Sequence, residues 1–429
     1  MVLTTIDLRG KTGDLASFLP APSAPGTNVA GPVAEIIDEV RRRGDAALFE
    51  LTERFDGVAL EQLRVPDEAI HDALARTPAP VLQALEEAYD RIVAYHAHEM
   101  VDPEPFVDGD IVVRPQIVPV DRAGAYAPGG RAIYPSSVLM CVGPARVAGV
   151  EDIILCAPPN DAGCVDDATL AAASVAGVRE IYSIGGAQAI AAMAIGTESI
   201  ERVDVIVGPG NAYVAEAKRQ VSGLVGIASA FAGPSEIVVI ADATTPPALA
   251  AVDLMVQAEH GPDGLAWLIT WDEATAQAIE ASLVAQISAS PRRGDLESTM
   301  ASSGVCVLVD DPAMAAAVSN IVAPEHLELL IDDYEALVPQ IRAAGAVFCG
   351  QNAPASLGDY AVGPNHVLPT NRSARFSSAL RADDFRRHIH VVEVGSEGFD
   401  RLKGTVMTIA EVEGLPAHVD SVRQRDDGR

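Results

Sequence analysis

Glu180-Ile181-Tyr182-Ser183-Ile184 runs directly into Gly185-Gly186, and Ala187-Gln188-Ala189-Ile190 opens a helical pattern behind it. A short β-branched and aromatic run, a glycine turn and an apolar helix together make a strand–turn–helix unit. The unit recurs on both sides. Residues 150–157 form the run before it, and Val203-Asp-Val-Ile-Val207, followed by Gly208-Pro209-Gly210, forms the run after it. Glu236–Ala241 is a fourth run leading into a helix, and Leu265–Thr270, residues 305–309 and Ala346–Cys349 supply the strands of a second sheet. Strands alternating with helices at this spacing predict parallel sheets joined by crossover helices, so the expected fold class is α/β with two such domains.

The flanks read differently. Residues 1–29 mix Pro, Gly and Ser and are expected to form an irregular arm. Val33, Ile36, Ile37 and Val40 share one face of a helix that Gly44 breaks, and Asp45 caps a second helix carrying Leu48, Leu51 and Phe55. Residues 81–100 show Leu82, Leu85, Tyr89 and Ile92 at helical spacing. His96 and His98 sit two apart there, cannot share a metal, and read as surface histidines. Near the C-terminus a Pro/Ser/Asn-rich loop (364–378) precedes a strand (388–394), whose His388 and His390 read as a solvated edge. A helix over 398–413 then stops at Gly414.

The 429 residues carry 30 Lys and Arg against 60 Asp and Glu, a formal charge of −30. That charge repels phosphate over most of a surface and excludes nucleic acid and anionic membrane as expected partners. Five scattered cysteines, odd in number and without a C-x-x-C pair, predict neither a disulfide framework nor a thiolate zinc site. No unbroken apolar stretch is long enough to span a bilayer, and the first residues lack the basic start and apolar run of a signal peptide. The expectation is a cytoplasmic protein.

Several stretches carry chemistry. In Leu254-Met-Val-Gln257-Ala-Glu-His260-Gly261, a helix puts Gln257 and His260 three apart on one face, with Gly261 as a left-handed stop. They could be a solvated amide and a capping imidazole, or two donors of a metal site. Gly185-Gly186-Ala-Gln188, Gly208-Pro-Gly210-Asn211 and Ala125-Tyr126-Ala-Pro-Gly129 are candidate dinucleotide loops at strand carboxyl ends, although no G-x-G-x-x-G occurs and ordinary β–α turns would look the same. Pro324-Glu325-His326-Leu327-Glu328 places a carboxylate beside an imidazole, suited to general acid–base work, in what reads as a polar break between apolar runs. Asp359 and His366 lie in a loop-rich stretch, and Glu413 and His418 flank the break at Gly414 and Pro416. Joined to Gln257 and His260, these N and O donors suit zinc. The absence of H-E-x-x-H counts against a metalloprotease-like hydrolase.

Taken together, the blocks resemble the histidinol dehydrogenase family. They are residues 125–140, Gly185-Gly-Ala-Gln-Ala-Ile190, Val207-Gly-Pro-Gly-Asn211, Ala232-Gly-Pro-Ser-Glu236, Gln257-Ala-Glu-His260, Ala323-Pro-Glu-His-Leu-Glu328, Gly358-Asp-Tyr360, His366-Val-Leu-Pro-Thr370 and Glu413-Gly-Leu-Pro-Ala-His418, in the family's order over nearly the whole chain. The resemblance implies a zinc- and NAD-dependent enzyme oxidising L-histidinol through L-histidinaldehyde to L-histidine, the last steps of histidine biosynthesis. By matching position it implies Gln257, His260, Asp359 and His418 as zinc ligands and Glu325 and His326 as the catalytic pair. Ser235, His366 and Glu413 would meet substrate alongside Gln257, His260, His326, Asp359 and His418, while Tyr126, Gln188 and Asn211 would meet NAD.

The implied fold is two incomplete Rossmann-like parallel-sheet domains with small N- and C-terminal extensions, in an intertwined homodimer. Residues 30–122 and 237–370 would form the first domain and 123–236 the NAD-binding one. Residues 371–429 would complete the partner's site. Two departures from the family stand out: residues 226–233 are one longer than the common form and lack its usual Asp, and Arg372 and Arg381 replace smaller or apolar residues. The alternatives are a paralogous dehydrogenase for another small alcohol such as a sulfonated diol, a zinc hydrolase, and a non-catalytic NAD-binding module.

Overall fold

The structure is a computed structural model describing residues 2–20, 29–129, 132–228, 235–259 and 264–428. Thr4–Asp7 is strand β1, and four helices follow: α1 (Ala30–Arg43), α2 (Asp45–Asp56), α3 (Asp67–Arg76) and α4 (Ala79–Glu99). After the hairpin β2 (Phe106–Asp108) and β3 (Ile111–Pro119) comes the first alternation: β4 (Arg122–Tyr126), α5 (Pro135–Val147), β5 (Asp152–Ala157), α6 (Asp167–Val175), β6 (Glu180–Ser183), α7 (Gly186–Ile195), β7 (Val205–Val207), α8 (Ala212–Val221) and β8 (Gly226–Ile227). The second opens with β9 (Glu236–Ala241), α9 (Pro247–Ala258), β10 (Leu265–Thr270), α10 (Glu273–Ala289), α11 (Arg293–Ser303) and β11 (Gly304–Leu308). It ends with α12 (Pro312–Val322), β12 (His326–Leu330), α13 (Tyr334–Leu337), β13 (Ala346–Cys349) and α14 (Ala355–Tyr360). Strand β14 (Arg386–Val394) and helices α15 (Ser396–Val412) and α16 (Pro416–Asp427) close the chain.

Two compact units result. The first holds residues 1–99 and 120–385, and the second holds residues 100–119 and 386–429. Within the first unit lie two parallel sheets, ordered β6-β5-β4-β7-β8 and β1-β11-β10-β9-β12-β13. The central strands are continuous apolar runs because helices cover both faces. Ile237 to Ala241 and Ile153 to Ala157 are buried throughout, and each Ile, Val or Leu removed from water contributes about 1.5–3 kcal/mol. The second unit is an antiparallel sheet, β14-β3-β2, with α15 and α16 paired after it. Asp110 accepts from the Glu397 and Gly398 amides and so caps α15.

The α/β class and the parallel strands agree with the sequence reading, and four details differ. Residues 1–29 are not an irregular arm throughout, because β1 pairs in parallel with β11, Thr4 opposite Val305. Helices α1 and α2 do not join the six-stranded sheet: Val33, Ile37, Val40 and Leu48 pack in one core with Ile154, Tyr182, Ile190 and Met193 of the five-stranded one. The presumed polar break at residues 324–328 is the entry to β12, an interior strand between β9 and β13. Finally, His96 is not at the surface. It is fully buried, its Nδ1 2.6 Å from Glu99 Oε1 and its Nε2 3.3 Å from Asn365 Nδ2. By contrast, His388 and His390 are exposed on β14, an edge strand, as expected.

Candidate active site

Glu325 and His326 stand where β12 begins. Ala323 takes a left-handed φ of 49° after α12 and turns the chain into the strand, which buries both side chains, His326 to 3% exposure. Glu236, opening the neighbouring β9, holds the pair. Its N–H donates to Glu325 Oε2 at 2.9 Å, and its carbonyl oxygen lies 3.0 Å from His326 Nδ1. In return the Glu325 N–H donates to Glu236 Oε2 at 3.2 Å, and the Asn371 N–H donates to Glu236 Oε1 at 2.9 Å. A carbonyl can only accept, so Nδ1 carries a proton and Nε2 is the nitrogen that exchanges one.

His326 Nε2 lies 3.2 Å from Asp359 Oδ1. Burial alone would depress the imidazole, but the Glu325 and Asp359 carboxylates outweigh it and hold its pKa well above the ordinary value. Burial raises Asp359 while His326 lowers it, and the net shift is downward. For Glu236, burial and then the Glu325 charge push the carboxyl up to about 8. The Glu236–Glu325 pair therefore retains a proton where a lone glutamate would have lost it.

Gln257, near the carboxyl end of α9, is 2% exposed, and its Nε2 is 3.2 Å from Asp359 Oδ2. Donors bound to one zinc at about 2.1 Å in tetrahedral geometry lie about 3.4 Å apart, so this pair has the span of two ligands once the amide presents its oxygen. The negative end of the α9 dipole favours a cation there. His260 lies outside the described residues, and among those described no three His, Cys, Asp or Glu side chains form a metal cage. His366 places Nδ1 2.7 Å from the Asp359 carbonyl and Nε2 3.3 Å from Ser137 Oγ of α5, so the two halves of the first unit meet at this histidine. Burial depresses its pKa and keeps it neutral. Ser235 precedes β9, and its carbonyl accepts from the Leu265 N–H. Glu413 and His418 belong to the second unit, where both are exposed.

The dinucleotide candidates gather at the carboxyl ends of β4, β6 and β7. Tyr126 is not free to lie flat on a ring: it is buried in the core, and its hydroxyl accepts from the Gly186 N–H at 3.1 Å. Gln188 is buried in the first turn of α7. Asn211 is exposed and caps α8 by accepting from the Tyr213 and Val214 amides, which leaves the NH2 end of its amide to meet a ligand. Gly208 has φ +113°, and a Cβ there would fall 2.0 Å from the Tyr126 carbonyl oxygen.

Some groups escaped the sequence reading. Lys218 is buried and donates to the Gly208 carbonyl, and burial lowers its pKa to about 8. The sequence signal was faint, a lysine on the apolar face of α8 with Val214, Ala217 and Val221. Glu236 was visible as the head of a strand run, without a role in the site. Arg381, to which no role was given, pairs with Glu99 beside buried His96.

Parallel sheets with close-approach glycine turns in one half, and a buried acid–imidazole pair in the other, define an NAD-dependent oxidoreductase. Residues 21–426 match the family model described as histidinol dehydrogenase. The histidinol dehydrogenases of Gluconobacter oxydans and Chromobacterium violaceum are 45% and 44% identical, covering 97% and 96% of each chain respectively. The crystal structure of histidinol dehydrogenase from Elizabethkingia anophelis superimposes with a TM-score of 0.93 at 34% identity, over 100% of this chain and 98% of that one. The chain belongs to the histidinol dehydrogenase family.

Proposed function

We propose that the chain oxidises L-histidinol to L-histidine in two NAD-dependent steps at the site around His326. The observation that carries this reading is the Glu325–His326 pair, buried and clamped by Glu236 beside Asp359 and Gln257. In the first step His326 Nε2, once it has given up its own proton, takes the hydroxyl proton as hydride leaves the carbinol carbon. The same nitrogen relieves the aldehyde hydrate of its proton in the second. Glu325, held against the Glu236 amide, activates the water that adds to the aldehyde. Two hydrides leave and one water enters, so protons must exit through the His326–Glu325–Glu236 cluster. General acid–base assistance of this kind contributes about 10²–10⁴-fold.

Zinc on Gln257, His260, Asp359 and His418 would supply a Lewis-acid anchor for the imidazole and amino nitrogens of the substrate. Neutral His366 with Ser137 behind it, together with Ser235 and Glu413, suits the remaining polar contacts of such a substrate. Tyr126, Gln188 and Asn211 would line the NAD loops of residues 123–236, with Lys218 bracing Gly208. No helix among the described residues is long and apolar enough to cross a membrane, and all five cysteines are free, which supports a reducing cytoplasm.

A homodimer completes the reading. The second unit exposes the large apolar side chains Phe106, Val107, Ile389, Val392, Ile409 and Val412, which a partner would cover. The same unit carries Glu413 and His418, so a partner seated on it would receive both residues. Inactive His326→Ala and His418→Ala subunits, mixed and purified as heterodimers, are expected to regain activity at one of their two sites; no recovery would end the shared-site reading.

The deciding experiment is the NADH yield from limiting L-histidinol with zinc-loaded protein. Two NADH per histidinol are expected, lost on chelation and regained with zinc. Glu325→Gln should stall the second oxidation more than the first. Folded, zinc-loaded protein that leaves histidinol untouched would move the assignment to another small alcohol.

A further inference from the structure

One buried ionisable cluster takes no part in that chemistry. Glu328 and Asp253 are 2% and 6% exposed and act on each other, and Glu328 Oε2 is buried with no other hydrogen-bond partner. The other oxygen of Glu328, Oε1, accepts from the Ala355 N–H at 2.6 Å. On the same three elements Leu254, Ala258, Leu330 and Ala355 are apolar and buried. Two adjacent carboxyl groups can be hydrogen-bonded only if one holds a proton. Burial, and then the Asp253 charge, push Glu328 up to about 9, and burial raises Asp253 as well. The other ionisable group acting on Glu328 is His326 on its own strand, which opposes that rise only in part.

What this pair joins is specific. Asp253 lies on α9 four residues before Gln257, one turn away on the same face. Glu328 is two residues after His326 on β12, hence on the same side of the sheet. Ala355 opens α14 four residues before Asp359. Three elements are therefore pinned at one point, and each carries a site residue one repeat further on.

We propose that Asp253 and Glu328 share a proton and act as a latch that positions Gln257, His326 and Asp359 relative to one another. Neither residue touches substrate; both are positioning residues. The latch works as a neutral acid–carboxylate hydrogen bond, so an amide can replace one partner, donating the hydrogen the proton supplied. An alanine cannot, and it leaves Asp253 and the Ala355 N–H without partners.

Part of this rests on reading Gln257 and Asp359 as metal donors, so zinc binding of the wild-type protein is measured in parallel. Wild-type protein that binds no zinc would reject the metal reading alone, while kcat and infrared spectra still decide the latch. Full-length protein is compared as wild type, Glu328→Gln, Asp253→Asn and Glu328→Ala, with kcat, KM, zinc affinity by chelator competition, and the carbonyl stretch of a protonated carboxyl. Glu328→Ala is expected to lose about 10- to 100-fold in kcat and zinc affinity, the range for residues that orient a site. Both amide variants should stay within a few-fold of wild type while losing a protonated-carboxyl band that the wild-type protein shows. Amide variants as impaired as the alanine variant, or a wild-type spectrum lacking that band, would overturn the proposal. Should Glu328→Ala fail to fold, amide variants about tenfold or more below wild type in kcat, or a wild-type spectrum lacking that band, would overturn the proposal.

Discussion

Glu236 has its carboxyl raised to about 8 by burial and by Glu325. A free glutamate titrates near 4.5. Between those values the folded chain keeps a proton that the unfolded chain has released, so stability falls as pH rises from about 4.5 to about 8 and stays reduced above it. Glu236→Gln removes that titration. Its Tm relative to wild type should therefore climb between pH 5 and pH 9, by the equivalent of a few kcal/mol, since every tenfold gain in proton affinity on folding is worth about 1.4 kcal/mol. The constant offset from altered hydrogen bonds to Glu325 and Asn371 does not change with pH. A pH-independent difference between the two melting curves would refute the proton held at Glu236.

At the scale of elements, the legible parts were those whose signal is local. The runs Glu180–Ser183 and Val205–Val207 with their glycine turns, and the stop at Gly414, are set by residues a few positions apart. The Glu325–His326 dipeptide was visible as chemistry but not as a strand, because polar residues at the head of β12 hide an interior position that only pairing with β9 and β13 reveals. Its location was hidden for a further reason. Ligands in parallel sheets are sought at the strands' carboxyl ends, yet His326 and Glu236 open their strands. They meet Gln257 and Asp359 there because a crossover helix runs back and ends where its neighbouring strands begin. His96 was misplaced because its burial depends on Glu99 and Asn365, the latter 269 residues away. The turn after β7 offers an element-scale prediction. Gly208→Ala would drive a methyl into the Tyr126 carbonyl at a φ suited to glycine, so the loop must shift. NAD affinity should fall at least tenfold, with histidinol affinity far less affected. Equal losses for both ligands would count against the loop as the dinucleotide site.

Across the whole molecule the division into units followed contacts the sequence could not announce. Residues 111–119 lie far from 386–394 in the chain but pair with them in one antiparallel sheet, Arg386 opposite Pro119 and Val394 opposite Ile111. The helix α15 was legible, whereas its exposed Ile409 and Val412 would be covered only in the proposed homodimer. If that proposal holds, charges placed there, as in the double variant Ile409→Asp/Val412→Asp, convert dimer to monomer in analytical ultracentrifugation and abolish activity. Monomers that stay fully active would show that each chain carries a complete site.

The pairing of β1 with β11 bears on how the chain is made. Thr4–Asp7 leaves the ribosome early, but its neighbour at Val305–Leu308 follows some three hundred residues later, about 15 to 60 seconds at ordinary elongation rates. The five-stranded sheet, complete by Ile227, is synthesised before β9 begins at Glu236. It can assemble co-translationally with α1 and α2 as its first cover, while β1 waits as an unsatisfied edge. The six-stranded sheet closes only in the last third of translation, and until then the nascent chain depends on its solubility and on chaperones to keep that strand from other partners.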